Sequence, residues 1–220
     1  MFVTIEGIDG SGKTYLTKLI TDWLNSEEPG STISTSEPYD RSILDRGDAW
    51  ETKEWEFYRD RIIHWAEVIA PALAEEKNVI CDRFQLSTVV YQHEDDLMFT
   101  NTWQKYARYV LGREKWNATE ALEVGVLEPD CVILINGDLK ACLERLLERG
   151  EYSNIDANKI LDRKTNFYRA IFAYENATRY CLTEASTIII AQTADEAFER
   201  FKAWVNGDGK RDNPDEGGVQ

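Results

Sequence analysis

Short apolar runs alternate along the chain with longer stretches in which apolar residues recur every three or four positions. The apolar runs predict strands, and the amphipathic stretches predict helices. The predicted strands are Met1–Glu6, 31–36, Asn78–Cys81, Asp130–Ile135 and Ser186–Ala191. The predicted helices are Lys13–Asn25, Trp50–Lys77 with an interruption near Pro71, a helix that begins at Thr88–Gln92, Leu139–Glu148, 157–181 and Ala194–Val205. This alternation is typical of an α/β fold in which helices flank a parallel sheet of about five strands.

The domain organisation is inferred from where linker-like polar segments occur along the chain. No linker or internal repeat divides residues 1–205, so we predict one domain followed by a tail at 206–220. The tail is polar and rich in glycine and proline, which predicts disorder. Residues 93–128 are polar, contain tryptophan and receive no firm assignment.

Composition and charge narrow the range of functions. The formal net charge is −15, with 40 acidic and 25 basic residues. Because such a surface repels nucleic-acid backbones and anionic membranes, we expect neither as a partner. The chain shows no apolar run long enough for a membrane span and no secretion signal, which predicts a cytoplasmic protein with free thiols. With two histidines, a His/Cys zinc site is not expected.

A glycine-rich segment directly follows the first predicted strand and precedes the first helix. It fits the phosphate-loop motif G-x-x-x-x-G-K-S/T and reads Gly7-Ile8-Asp9-Gly10-Ser11-Gly12-Lys13-Thr14. Glycines allow consecutive N–H groups to point at phosphate oxygens, and the helix that starts there adds its positive end. In this motif Lys13 reaches the β- and γ-phosphates of a nucleotide, and the Thr14 hydroxyl ligates Mg²⁺. The sequence therefore predicts an ATP site in a P-loop NTPase-type fold.

Asp82 and Arg83 lie just beyond the carboxyl end of another predicted buried strand. Ligands of open α/β sheets bind at that edge, so we expect this pair to face the phosphate loop. Taken alone, an Asp-Arg pair at a strand end is often only an ion pair.

The ordered set of motifs resembles the thymidylate kinase family of nucleoside monophosphate kinases over residues 1–205. The most specific parts are I-E-G-I-D-G-S-G-K-T and D-R-x-x-L-S-T-x-x-Y-Q. Others are Glu37-Pro38, Phe57 four residues before Arg61, the strand LEPDCVILIN and the arginine-bearing segment ERLLERGEYSNID. The resemblance implies Mg²⁺-dependent transfer of a phosphoryl group from ATP to a deoxynucleoside monophosphate, most simply dTMP, and it implies a homodimer.

The resemblance also assigns roles to individual residues. Phe57 stacks on thymine, Arg61 donates to a base carbonyl, and Arg83 grips the acceptor phosphate. Asp82 holds Mg²⁺ through water, and Asp9 binds the 3′-hydroxyl or orients the acceptor phosphate. The remaining residues of the acceptor pocket are Ser87, Thr88, Tyr91 and Gln92 around base and sugar, with Glu37 and Tyr39 closing its phosphate end.

An extra arginine is also implied for phosphoryl transfer, carried either by the phosphate loop or by a mobile lid. The loop has Gly10 at that position, so the lid must supply the arginine. We predict a short lid at 146–156, with Arg149 as the catalytic arginine. Asn154 stands where a lid arginine is common, which leaves Arg145 and Arg163 as the other candidates.

Two alternative functions stay open on the sequence alone. A deoxynucleoside kinase shares the phosphate loop and needs a carboxylate to activate a neutral hydroxyl, a role that Glu37 could fill. A catalytically weak nucleotide-binding module is suggested by Asn154 and by Ser36, which replaces a phosphate-binding arginine and shifts that contact toward Arg41. Against the module, Lys13, Thr14, Asp82 and Arg83 are all present.

Overall fold

The computed structural model describes residues 1–45, 50–84, 86–87, 90, 129–150, 161–162, 164–165 and 187–207, without the side chains of 45, 50–55 and 58. Five strands form one parallel sheet: β1 (Phe2–Gly7), β2 (Thr32–Ser36), β3 (Asn78–Asp82), β4 (Cys131–Ile135) and β5 (Thr187–Ala191). Their order is β2-β3-β1-β4-β5. The predicted fold class is confirmed, because each apolar run forms a strand within two residues of its predicted bounds.

The described helices pack on both faces of this sheet. They are α1 (Lys13–Glu27), α2 (Trp50–His64), α3 (Ala70–Ala74), α4 (Leu139–Glu148) and α5 (Ala194–Val205). A 3₁₀ turn spans Arg41–Asp45, and a π-helical turn, Trp65–Ile69, joins α2 to α3. None of the described helices is both long and apolar enough to cross a bilayer.

The core lies where the apolar faces of these elements meet the sheet. Every residue of β1 and β4 is buried, as expected for central strands covered on both faces. One buried cluster joins α1 and α5 to the sheet, with Leu16, Ile20 and Phe201 fully enclosed. On the other side, Cys142 and Leu146 of α4 pack in a second cluster. The central strands are therefore covered on both faces by packed apolar side chains.

The predicted interruption near Pro71 takes a milder form than a break. The chain stays helical through the π turn, and Pro71 lies in the first turn of α3. A proline ring clashes with the carbonyl of the residue four positions earlier, and a widened turn relieves that clash. The helical path from α2 to α3 is therefore continuous.

Strand register brings three loops to one edge of the sheet. Ser36 pairs with Asp82 at the carboxyl ends of β2 and β3. Ile5 of β1 also pairs with Asp82, and Gly7 pairs with Ile135 of β4. The phosphate loop, the segment after β2 and the segment after β3 consequently leave the sheet side by side.

The other expectations concern residues that are only partly described. Of the predicted tail, Asn206 and Gly207 form the turn that ends α5, and 208–220 lie outside the described residues. The predicted lid is described up to Gly150. Residues 93–128 lie outside the described residues, as do all but four residues of the predicted helix at 157–181.

Candidate active site

The phosphate loop requires glycine at positions where the chain passes close to other backbone. Gly10 has φ +77°, and a Cβ there would lie 2.4 Å from the carbonyl oxygen of Cys142 on α4. Gly7 has φ +146°, and its Cβ would lie 2.7 Å from the carbonyl oxygen of Ile135. Gly12 caps α1 in a left-handed conformation. These contacts fix the loop between β1, β4 and α4.

We expect Gly10→Ala to lower the free energy of unfolding by at least about 2 kcal/mol, because left-handed strain of about 1–2 kcal/mol adds to a collision with backbone. Gly30→Ala is the matched control: Gly30 has φ +80° and no atom within 4 Å of its Cβ position. Chemical denaturation of both variants checks the difference. Equal destabilisation would contradict the close approach at Gly10.

Lys13 is enclosed within the loop that it follows. Its Nζ donates a hydrogen bond to the carbonyl oxygen of Ile8 at 2.7 Å. Burial, reinforced by the positive charge of Arg83, lowers the pKa of Lys13 to about 7, although Asp9, Asp82 and Glu6 act in the opposite direction. An anion near this ammonium would favour its charged form.

Thr14 and Asp82 meet although 68 positions separate them in the sequence. The Thr14 hydroxyl at the start of α1 donates to Oδ2 of Asp82, at the end of β3, across 2.6 Å. Two oxygen-bearing side chains therefore lie together beside the phosphate loop, as predicted for residues that would share a Mg²⁺ ion.

Arg83 leaves β3 in an uncommon conformation and crosses toward the phosphate loop. Its φ is +71°, and its backbone N–H donates to the carbonyl oxygen of Ile5 at 2.9 Å. In its guanidinium, Nη1 donates to Ser87 Oγ at 3.0 Å and Nη2 pairs with the Asp9 carboxylate. The guanidinium thus lies against the phosphate loop, in the wall of the cavity described below.

Glu37 and Arg61 form a buried ion pair at the opposite end of the site. Both the Nε and Nη2 groups of Arg61 donate to the Glu37 carboxylate, and the guanidinium also lies 5.2 Å from the ring centre of Phe84. Arg61 is 2% exposed and Glu37 is 7% exposed. Arg61 therefore lies behind Glu37, and it does not itself line the cavity described next.

One cavity of about 510 Å³ connects these parts. It brings together residues predicted for both substrates: Asp9, Gly10, Gly12, Lys13, Thr14, Glu37, Phe57, Asp82, Arg83, Ser87 and Arg149. Residues that were not assigned to the site by the sequence also line it: Tyr15, Pro38, Leu44, Phe84 and Leu146. Ser36 and Arg41 both lie in its wall, so a phosphate contact at Arg41 stays a prediction.

Some predicted site residues lie elsewhere. The Tyr39 ring stacks on His64 at 5.0 Å and its hydroxyl donates to Glu67, so its side chain is engaged away from the cavity. Gly7 and Ser11 belong to the phosphate loop but do not line the cavity, and Ser11 is 5% exposed. Thr88, Tyr91, Gln92 and Arg163 lie outside the described residues.

Two arginines of the lid region differ in their placement. Arg145, on the last turn of α4, donates to the carbonyl oxygen of Gly10 in the phosphate loop. Arg149 follows the end of the same helix and lines the cavity. Of these two, Arg149 is the one positioned beside the space that substrates would occupy.

The most informative residue that the sequence reading missed is Glu6. It is fully buried in β1, where its carboxylate accepts hydrogen bonds from the N–H of Phe84 and the hydroxyl of Ser87. A lone carboxylate in an otherwise apolar strand was the available signal, since such a group is buried only when it has partners.

Comparison with known proteins points to one family. The sequence model described as thymidylate kinase matches residues 5–196. The chain is 30% identical to a thymidylate kinase of Desulforapulum autotrophicum, over 81% of this chain and 75% of the relative. It is 29% identical to one from Desulfovibrio desulfuricans, over 91% and 97%. A crystal structure of thymidylate kinase from Ehrlichia chaffeensis shares the fold, with a TM-score of 0.58, 20% identity, and coverage of 93% and 98%.

Proposed function

Because the chain belongs to the thymidylate kinase family, we propose that it transfers the γ-phosphoryl group of ATP to the phosphate of dTMP. The observation that supports this most directly is the single cavity, which has the phosphate loop on one side and Arg83, Glu37 and Phe57 on the other. Donor and acceptor can therefore face each other within one cavity, as in-line phosphoryl transfer requires.

The reaction breaks the bond between the γ-phosphorus and its bridging oxygen and forms one to an oxygen of the acceptor phosphate. That oxygen is already ionised at neutral pH, so no strong general base is needed. The protein must position the two phosphates and neutralise the charge that spreads over the transferred group. Lys13 serves the donor side, and Arg83 serves the acceptor side.

The pair of Thr14 and Asp82 fits a Mg²⁺ ion, which prefers oxygen ligands and retains water molecules. We propose that the Thr14 hydroxyl binds the ion directly and that Asp82 holds it through water. Their side chains already meet at 2.6 Å, so the chain need not rearrange to bring the two oxygens together. When bound with ATP, Mg²⁺ neutralises charge on the β- and γ-phosphates.

At the acceptor end, Phe57 lines the cavity, and its ring is proposed to stack on the base. Arg61 is proposed to contribute to base recognition from its position behind Glu37, with which it pairs. Ser87, Thr88, Tyr91 and Gln92 are proposed to complete this pocket, with Glu37 at its phosphate end. Tyr39, which the resemblance also placed there, is engaged by His64 and Glu67 instead. Asp9 is proposed to contact the sugar hydroxyl or the acceptor phosphate through its position opposite Arg83.

An ADP-release assay with dTMP, dUMP, other nucleoside monophosphates and thymidine tests the proposed function. We expect the highest kcat/KM with dTMP and no ADP release with thymidine. Faster turnover of thymidine would identify a deoxynucleoside kinase instead. Nucleotide binding without turnover of any acceptor would identify a binding module.

Arg149→Ala is expected to lower kcat at least about tenfold while KM values and the unfolding temperature change little. The reason is that a lid arginine contacts the transferred group mainly in the transition state, after closure has excluded water. Steady-state kinetics of Arg149→Ala, Arg145→Ala and Arg163→Ala, measured in parallel, assign the role. Full kcat in all three variants would rule out a catalytic lid arginine.

We also propose that residues 1–205 act as one domain with a lid at 146–156, in a cytoplasmic homodimer. Free, buried thiols at Cys81, Cys131 and Cys142 support a reducing compartment. Burial raises the pKa of each of these thiols, which makes them poor nucleophiles. Sedimentation analysis of the purified chain tests the dimer.

A further inference from the structure

Glu6 is a buried carboxylate that the proposed mechanism leaves without a role. Its Oε1 accepts a hydrogen bond from the backbone N–H of Phe84 at 3.0 Å, and its Oε2 accepts one from the Ser87 hydroxyl at 2.6 Å. Both donors belong to the segment that begins at Arg83. Glu6 thus connects β1, just before the phosphate loop, to the segment that carries the acceptor-site arginine.

Ser87 continues this connection to the Arg83 side chain. A hydroxyl group has one proton to donate and lone pairs with which to accept. The Ser87 hydroxyl donates its proton to Glu6 and accepts from Nη1 of Arg83 at 3.0 Å. The three side chains therefore form a relay of directional hydrogen bonds from a rigid strand to a guanidinium in the cavity.

We propose that Glu6 is a positioning residue that orients the Arg83 guanidinium through the Ser87 hydroxyl. The inference rests on the proposed role of Arg83 in binding the acceptor phosphate. The planar guanidinium can engage a phosphate through two parallel N–H groups only in one orientation. Anchoring Nη1 restricts that plane, and it limits how far the guanidinium can turn toward the Asp9 carboxylate, with which Nη2 pairs.

If the relay orients Arg83, breaking it should affect KM for the monophosphate more than KM for ATP. Glu6→Gln and Ser87→Ala are expected to raise KM for the monophosphate at least about fivefold, with KM for ATP changed less than twofold. A residue needed only for folding would alter both constants or lower the fraction of active enzyme. Glu75→Gln, at a surface carboxylate paired with Lys77, is the matched control and should leave both constants unchanged.

A double-mutant cycle tests whether Glu6 acts through Arg83. In an Arg83→Ala background, Glu6→Gln should change KM for the monophosphate less than twofold, because the group it orients is gone. A full fivefold effect in both backgrounds, or equal effects on KM for ATP and monophosphate, would overturn the relay. If Glu6→Gln does not fold, the same cycle is run with Ser87→Ala.

The kinetic assays use whichever monophosphate the wild-type enzyme phosphorylates fastest, and calorimetric binding of dTMP is measured for the same variants. If another monophosphate is preferred, the choice of dTMP fails while the relay is still tested. If no acceptor is phosphorylated, the proposed function fails, and the selective loss of dTMP affinity still decides for or against the relay.

Discussion

Replacing Lys13 by alanine is expected to lower kcat by about a thousandfold or more while the protein stays folded. The ammonium lies inside the phosphate loop, where charge spreads over the transferred phosphoryl group in the transition state. Its Nζ donates to the Ile8 carbonyl, within the same loop. The residue is thus already held where the donor phosphates would bind, and no other described lysine lines the cavity.

Single-turnover kinetics of Lys13→Ala measures the loss of catalytic rate, and thermal unfolding measures whether the protein stays folded. Burial of the charged group is unfavourable, as its pKa of about 7 indicates, so its removal should not lower the unfolding temperature substantially. Lys18→Ala is the matched control, because Lys18 lies on the same helix with 75% of its side chain exposed. A near-normal kcat in Lys13→Ala would refute the assignment of the loop.

The sheet and the phosphate loop were predictable because their signals are local. A short apolar run is the pattern of a strand covered on both faces, and β1, β3 and β4 follow it. The glycines between Gly7 and Gly12 are required by left-handed backbone and close contacts within a few ångströms. Once the strands are parallel, their carboxyl ends meet, which places Asp82 beside Thr14.

Pairings between distant side chains were not predictable in the same way. Glu37 and Arg61 are 24 positions apart, on a loop and a helix, and both were assigned directly to the substrate. The ion pair between them depends on how α2 packs against the sheet, and no local sequence pattern predicts that packing. It also changes the interpretation of Arg61, because a guanidinium that neutralises Glu37 removes a negative charge from the edge of a phosphate-binding cavity.

Ser87 shows the same limit within a single motif. The resemblance places it against the base or sugar, and it does line the cavity. Its hydroxyl is nevertheless committed to Glu6 and Arg83, 81 and 4 positions away. Motif spacing therefore indicated a residue that lines the cavity, while its hydrogen-bond partners depend on the three-dimensional arrangement.

Replacing Arg83 by alanine is expected to raise KM for the monophosphate about a hundredfold, equivalent to about 2.7 kcal/mol of binding free energy. KM for ATP should change less than threefold, because the proposed ligand of the guanidinium is the acceptor phosphate, although Arg83 also contacts Asp9 and the Gly7 carbonyl of the phosphate loop. Steady-state kinetics with each substrate varied in turn separates the two constants. Equal effects on both would mean that Arg83 spans the two sites or only supports the fold.

Arg83→Gly separates the loss of the guanidinium from any damage to the backbone. Alanine at φ +71° retains left-handed strain, whereas glycine adopts this conformation readily. We expect the glycine variant to be more stable than the alanine variant by up to about 1 kcal/mol in chemical denaturation, despite the greater flexibility of its unfolded chain. Both variants should show the same rise in KM for the monophosphate, because both lack the phosphate-binding group. If the rise in KM instead diminishes as stability recovers, Arg83 acts through the fold and the acceptor phosphate has another ligand.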